Sequence, residues 1–394
     1  MSKRPRVLVV HNDIQPHGGA CGVLAWTLQA LRRDYEVTLL TTKPFDLPAL
    51  NRFFGTSLDP IDMHARFIPA AIRKILALDP DAGSIQPYCY LMRNAKRLRP
   101  DFDCAVTTNN EADLGLRAVQ YVHAPSFEHL YGKVTPNLDL SFSRKFSAWR
   151  EGKVRPWMAL ADFSFDRMKQ NRTIVNSGWT GNWVRRLYKI ETVTLYPPAA
   201  GDFPDIPWEA RQVGFVVLGR LNPLKRPDLC LRALQIVRQS FPGVKLHIVG
   251  GKSDFEDEVA YYKELMPLVA ANSSWVTLHE NISRRRLEEI IAHQRYGMHA
   301  MVEEPFGMAV AEMVRAGCLP FVHNSGGPPE IVGYDARLLY ESVEEAAEKI
   351  MTVLANAGVQ SELRAKLSLR KSLFSPDAFV AGIRAEVGEM IRRG

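Results

Sequence analysis

The chain has 394 residues, 46% hydrophobic and 24% charged, a globular composition that excludes a collagen-like or wholly disordered chain. That length predicts two or three domains, each large enough to bury its own core. The net charge of +7 is uneven: residues 1–200 hold 27 Lys/Arg against 18 Asp/Glu, and the remainder 23 against 25.

No apolar run reaches the roughly 18 residues that a membrane span needs. Met1 to Pro5 lead straight into a strand-like Arg6–Val10, which leaves no room for a signal peptide. The five cysteines (Cys21, Cys89, Cys104, Cys230, Cys318) are scattered and form no C-x-x-C pair, as in a reduced protein without disulfides or structural zinc. A cytoplasmic chain is expected. The basic first half suits phosphorylated substrates or an anionic membrane surface on the inner face of a membrane. No nucleic-acid partner is expected.

Arg6–Val10 reads as a strand, His11–Ala20 as a glycine-bearing loop, Cys21–Leu31 as a helix and Glu36–Thr41 as a second strand. That succession is a βαβ unit and predicts a parallel sheet. The loop holds Gly18-Gly19 but no G-x-G-x-x-G, and no acid follows the second strand, so a dinucleotide site is not supported. Phe67–Leu78 and Tyr88–Arg99 read as helices, Cys104–Thr107 and Ala118–Val122 as strands. Asp79-Pro80-Asp81 and Asp101-Phe102-Asp103 are D-x-D tripeptides, yet each reads as a turn, and no metal is expected. His123 follows a parallel strand, where α/β sheets bind ligands. The basic, aromatic stretch Phe142–Met158, with Arg144, Lys145, Trp149 and Arg150, suits a membrane surface or a large acceptor, and equally an ordinary amphipathic helix. Thr173–Val175 and Thr192–Tyr196 complete the strands of this half.

Four prolines and two acids between Pro197 and Trp208 read as a linker. The alternation then restarts: strand Gly214–Leu218, helix Pro227–Ser240, strand Lys245–Val249, helix Phe255–Ala271, strand Val276–Leu278, helix Arg284–His293, strand Tyr296–Val302 and strand Leu319–Val322. A last helix is expected over Asp377–Arg392. Two doubly wound domains follow, one over 1–200 joined by the C-terminal helix 377–394, the other over 209–376.

The second half concentrates the chemistry. Gly219 to Pro227 carries Arg220 and Lys225 in one loop, two cations able to neutralise a diphosphate leaving group in place of a metal. Glu304 and Glu312 lie eight residues apart, about 12 Å along a helix, the scale from a sugar to a ribose across a diphosphate. Phe306-Gly307-Met308 between them opens a helix whose N–H groups favour anions. Ser325-Gly326-Gly327 lets backbone approach a ligand closely.

With Gly18-Gly19, His123-Ala124-Pro125, Asn176-Ser177, Tyr196-Pro197-Pro198, Gly219-Arg220 with Lys225, the E-x7-E of Glu304 and Glu312, and Ser325-Gly326-Gly327 with Glu330, the chain resembles glycosyltransferase family 4, retaining enzymes of the GT-B fold. His299 to Gly307 and His323 to Gly327 look like mannosyltransferases of glycan assembly. The resemblance implies a GT-B fold of two Rossmann-like, doubly wound parallel-sheet domains facing a central cleft. It implies a metal-independent transfer of a hexose, mannose first, from a nucleotide diphosphate sugar to a glycan, lipid-linked or small-molecule acceptor. GDP-mannose is the favoured donor, ahead of UDP-glucose or UDP-N-acetylglucosamine. Arg220 and Lys225 would bind the diphosphate, Glu312 the ribose, and Glu304 with the backbone of Phe306 to Met308 the sugar hydroxyls. His123 would face the donor sugar, and Gly18 and Gly19 would line the phosphate or acceptor side. The departure is the doubled acid Glu303-Glu304, which leaves open which carboxylate touches sugar. A GT-B sugar-nucleotide epimerase and a non-catalytic nucleotide-sugar-binding protein are the alternatives.

Overall fold

A computed structural model describes residues 4–14, 18–78, 85–128, 152–251 and 256–393. The chain forms two compact units, Met1–Pro198 with Pro376–Gly394, and Ala199–Ser375.

The first unit is built on seven parallel strands, β1 (Arg6–Val10), β2 (Glu36–Thr41), β3 (His64–Phe67), β4 (Cys104–Thr107), β5 (Val119–Val122), β6 (Arg172–Val175) and β7 (Val193–Thr194). Their order is β3-β2-β1-β4-β5-β6-β7. Val7 to Val10 are fully buried, as a parallel strand covered on both faces requires. Val7 and Val9 pack with the helix Gly19–Leu31 and with Phe379, Ile383 and Val387 of the last helix, Pro376–Arg393. Leu8 and Val10 face the other way, onto Tyr88, Leu91 and Met92 of the helix Ile85–Leu98. The last helix is pinned by the Arg172–Glu386 ion pair at 2.5 Å and by Arg384 Nε donating to Ala30 O at 2.7 Å.

The second unit has six parallel strands, β8 (Gln212–Leu218), β9 (Lys245–Gly250), β10 (Val276–Glu280), β11 (Gln294–His299), β12 (Leu319–His323) and β13 (Leu339–Tyr340), in the order β10-β9-β8-β11-β12-β13. Phe215, Tyr296 and Phe321 form its aromatic centre, with Phe215 and Tyr296 stacked at 5.0 Å.

Three expectations need correction. The helix expected over Phe67–Leu78 is the strand His64–Phe67 followed by a helix over Ala70–Leu76. Pro69 separates them, because the residue before a proline is driven out of helical conformation. The strand expected over Tyr296–Val302 stops at His299, where its pairing with β12 ends opposite Val322, and the chain turns at Glu303 with φ +53°. The proline-rich stretch after Pro197 is no free linker: Ala199, Ala200 and Trp208 are buried, and Ala199 N donates to Phe374 O at 3.0 Å.

Candidate functional site

In both sheets the chain order reverses once, between β1 and β4 and between β8 and β11. Open α/β sheets bind ligands at the carboxyl ends of such strand pairs. In the second unit these ends lead into Gly219–Arg226 and into the residues before Gly307, so topology brings together the two stretches that carry the charged groups.

Gly219 has φ +146° and donates its N–H to Val249 O at 3.0 Å. A Cβ on Gly250 would stand 2.1 Å from Gly219 O, so only glycine fits there. Asn222 organises the loop: its Oδ1 accepts from Lys225 N at 2.9 Å and its Nδ2 donates to Glu258 Oε1 at 3.1 Å. The same buried carboxylate holds one edge of Arg220 at 3.3 Å, and the Arg220 side chain remains 63% exposed. Most of its guanidinium therefore faces solvent in front of the strand ends.

Lys225 Nζ donates to Glu304 Oε2, with His299 Nε2 at 3.5 Å from that oxygen. Burial alone would push the Glu304 carboxyl up; His299 and the Lys225 ammonium pull it down to about 2. Glu304 is thus a firmly ionised, largely buried carboxylate. Glu303 differs: its Oε2 is buried with no hydrogen-bond partner, and burial raises its carboxyl.

The Ser325-Gly326-Gly327 turn lies against this acidic pair. Ser325 Oγ accepts from Glu303 N at 2.8 Å and pairs with His323 Nδ1 at 2.8 Å. Gly327 N donates to Glu304 O at 2.8 Å. Gly326, at φ +75°, would place a Cβ 2.3 Å from Glu304 O, and Gly327 one 2.5 Å from Pro305 O. Two glycines are required because two backbones touch. Phe306 is buried, and Gly307, at φ +103°, caps the helix Met308–Ala316, whose first N–H groups have no partner within that helix.

Glu312 belongs to a second network. Arg284 Nη1 donates to Glu312 Oε1 at 2.6 Å, Arg284 Nε to Glu288 Oε1 at 2.7 Å, and Arg284 Nη2 to Ala200 O at 2.5 Å.

In the first unit, His123 follows β5 and is half-buried. Its N–H donates to Asn110 Oδ1 at 2.7 Å and its Nε2 lies 3.1 Å from Thr108 O. Burial lowers its imidazole to about 4. His11, after β1, is fully enclosed, with Nδ1 2.8 Å from Thr108 Oγ1; burial, then His123, lowers it to about 3. Gly18 is the N-cap of the helix that Gly19 opens, with φ −84°. Asp103 of the second D-x-D tripeptide accepts from Arg6 N at 2.7 Å, a structural tie. Arg144, Lys145, Trp149, Arg150 and Asp79-Pro80-Asp81 lie outside the described residues.

The structure therefore joins Lys225, Glu304 and the turn at Gly326 directly, places Arg220 in the same loop as Lys225, and sets Glu312 on the helix that follows. Asn222, Glu258, Arg284 and His11 were not singled out from sequence, and His299 was named only as the head of the mannosyltransferase-like stretch, with no role given to it. Only a polar residue closing an apolar strand could have flagged His299 and His11.

Residues 199–371 match the family model described as "Glycosyl transferases group 1". The second unit is a glycosyl transferases group 1 domain. The chain is 30% identical over 305 residues to the human GDP-Man:Man(3)GlcNAc(2)-PP-Dol alpha-1,2-mannosyltransferase, covering 71% of this chain and 62% of that protein. The mouse protein of the same name is 30% identical over 291 residues, covering 67% and 59%. The chain thus spans about three fifths of the length of these curated relatives. Among solved structures, the Rickettsia africae glycosyltransferase superposes with a TM-score of 0.65 at 14% identity, over 99% of this chain and 100% of that one. Anabaena HepE in complex with UDP and glucose superposes with a TM-score of 0.66 at 16% identity, over 98% and 99%. The two parallel-sheet units are the GT-B fold, with the group 1 domain as its second half. Among the described residues no helix is long and apolar enough to cross a membrane, and no group of three His, Cys, Asp or Glu is placed to hold a metal ion.

Proposed function

We propose that the chain is a retaining mannosyltransferase that moves mannose from GDP-mannose to a lipid-linked glycan at a membrane surface. The observation that carries this reading is the Lys225–Glu304 pair beneath the Gly326-Gly327 turn, at the reversal between β8 and β11 of the group 1 domain. The curated relatives, named for GDP-Man and a PP-Dol acceptor, supply the substrate class.

In the proposed reaction the bond between the sugar's anomeric carbon and the β-phosphate oxygen breaks. Arg220 and Lys225 stabilise the charge gathering on the diphosphate, work that a metal would otherwise do. Glu304, held ionised by Lys225 and His299, accepts hydrogen bonds from sugar hydroxyls. The acceptor hydroxyl attacks from the face the phosphate leaves, and its proton passes to the leaving phosphate oxygen. No enzyme nucleophile enters, and configuration is retained. Glu312 accepts from the ribose hydroxyls, oriented by Arg284.

Calorimetric titration with GDP-mannose, UDP-glucose and UDP-N-acetylglucosamine, in EDTA, tests the donor. Saturable binding of GDP-mannose that is lost in Lys225→Ala is expected. Equal binding of all three sugars, or none of GDP-mannose, would contradict it.

A further inference from the structure

The donor stretches occupy the carboxyl ends of the second sheet. At its opposite pole, where β8 and β12 begin, a cavity of about 390 Å³ opens. Its wall carries three cations, Arg211, Arg364 and Lys371, against one exposed carboxylate, Asp205, with Pro207 and Ala365 as exposed apolar surface. Among the described residues, none of the three cations has a carboxylate within 4.0 Å.

Arg211 is only 8% exposed. Its Nε donates to Ile206 O at 2.9 Å, and its Nη1 is buried with no hydrogen-bond partner. Buried guanidinium donors are normally satisfied, and Arg211, a lining residue of the cavity, leaves one without an acceptor. A Cβ on Gly317 would stand 3.1 Å from Arg211 Nη2 and 3.4 Å from Lys371 Nζ, so both cations converge on one glycine. Burial, then Arg211, holds the Lys371 ammonium below the usual lysine range. Arg364, also in the lining, lies 4.6 Å from the centre of the Trp208 ring.

The helix Met308–Ala316 ends at Gly317, and a helix C-terminus attracts cations. That attraction does not account for this arrangement: neither Arg211 nor Lys371 is hydrogen-bonded to a carbonyl of that helix, and the third cation stands against Trp208. Like charges held close repel, and a dianion between them turns the repulsion into attraction.

We propose that this cavity is a second anion site, which takes a small phosphorylated molecule with its phosphate on Arg211, Lys371 and Arg364 and its body against Pro207 and Ala365. The site is separate from the donor site. The seven residues of β8 join Arg211 to Gly219, a span of about 23 Å at about 3.3 Å per residue.

The test is calorimetric titration at constant ionic strength with inorganic phosphate and with phenyl phosphate, chloride as control. It is run on an Arg220→Ala/Lys225→Ala protein, so that the donor loop contributes nothing. One phosphate per chain is expected, with phenyl phosphate tighter through the apolar wall. Arg211→Gln/Lys371→Gln should weaken binding at least tenfold. Ser361→Trp, at an exposed lining position, should do the same by filling the cavity with all three cations in place, which decides the matter if the double variant does not fold. No saturable binding above chloride, or binding that survives Ser361→Trp, would overturn the proposal.

Discussion

Lys225 and Glu304, 79 residues apart in sequence, meet through Nζ and Oε2 with side chains 24% and 15% exposed. Removing the cation leaves a buried carboxylate with only His299 beside it. Lys225→Ala should therefore lower kcat/KM with GDP-mannose by roughly 10²–10³-fold, the cost of losing one preorganised group that stabilises developing charge. Glu304→Gln should cost a similar factor. The double variant should lose far less than the product of the two, because the residues act as one unit. Steady-state kinetics on the three proteins checks the cycle.

The turn makes a sharper prediction. Gly326→Ala puts a methyl 2.3 Å from Glu304 O at a φ of +75°. The Glu303–Pro305 backbone must move, and a displacement near 1 Å in a positioned group costs about 10²-fold. Transfer should fall by that order with far-ultraviolet circular dichroism unchanged.

Arg284 serves two carboxylates, Glu288 and Glu312, with all three side chains 11–13% exposed. Arg284→Ala leaves two acids without their shared cation. A buried pair broken on one side loses about 3–5 kcal/mol, so the second unit should melt several degrees lower. Glu312→Gln should instead raise KM for the donor, by roughly tenfold, and change kcat less. Differential scanning calorimetry and donor titrations separate the two effects.

His11 and His123 give the first unit an acid sensitivity. Their folded pKa values, about 3 and about 4, lie below the unfolded value of 6.5. The unfolded chain therefore binds more protons between these limits, and stability rises with pH there. The contribution is complete above pH 6.5 and is lost as pH falls toward 4. Melting temperature should drop across that window, and His11→Asn should flatten the drop. An unchanged slope in that variant would refute the assignment.

The doubly wound architecture was legible because buried parallel strands read as continuous apolar runs between helical stretches. Val7 to Val10 and Phe215 to Leu218 are such runs. β3 was not legible: His64, Ala65, Arg66 and Phe67 are all exposed on a sheet edge, so no buried face imposes a pattern. β13 is two residues long and carries too little signal. In the site, the residue types and spacing of Arg220, Lys225, Glu304 and Gly326 stood out locally. Their pairing did not, because Lys225 reaches Glu304 only through β8 and β11 being neighbours, and Arg284 reaches Glu312 from another helix. Such contacts come from topology, which local spacing does not encode.

The most direct measurement is transfer itself. Purified protein is incubated in EDTA with GDP-mannose carrying a labelled sugar and with lipid-linked oligosaccharide in vesicles, and the anomeric configuration of the product is read by nuclear magnetic resonance. The expected result is one α-linked mannose added to the lipid-linked glycan, with the donor's configuration kept and with transfer reduced about a hundredfold or more in Lys225→Ala. A β-linked product, an epimerised donor with no acceptor used, or transfer undiminished in Lys225→Ala would contradict the assignment.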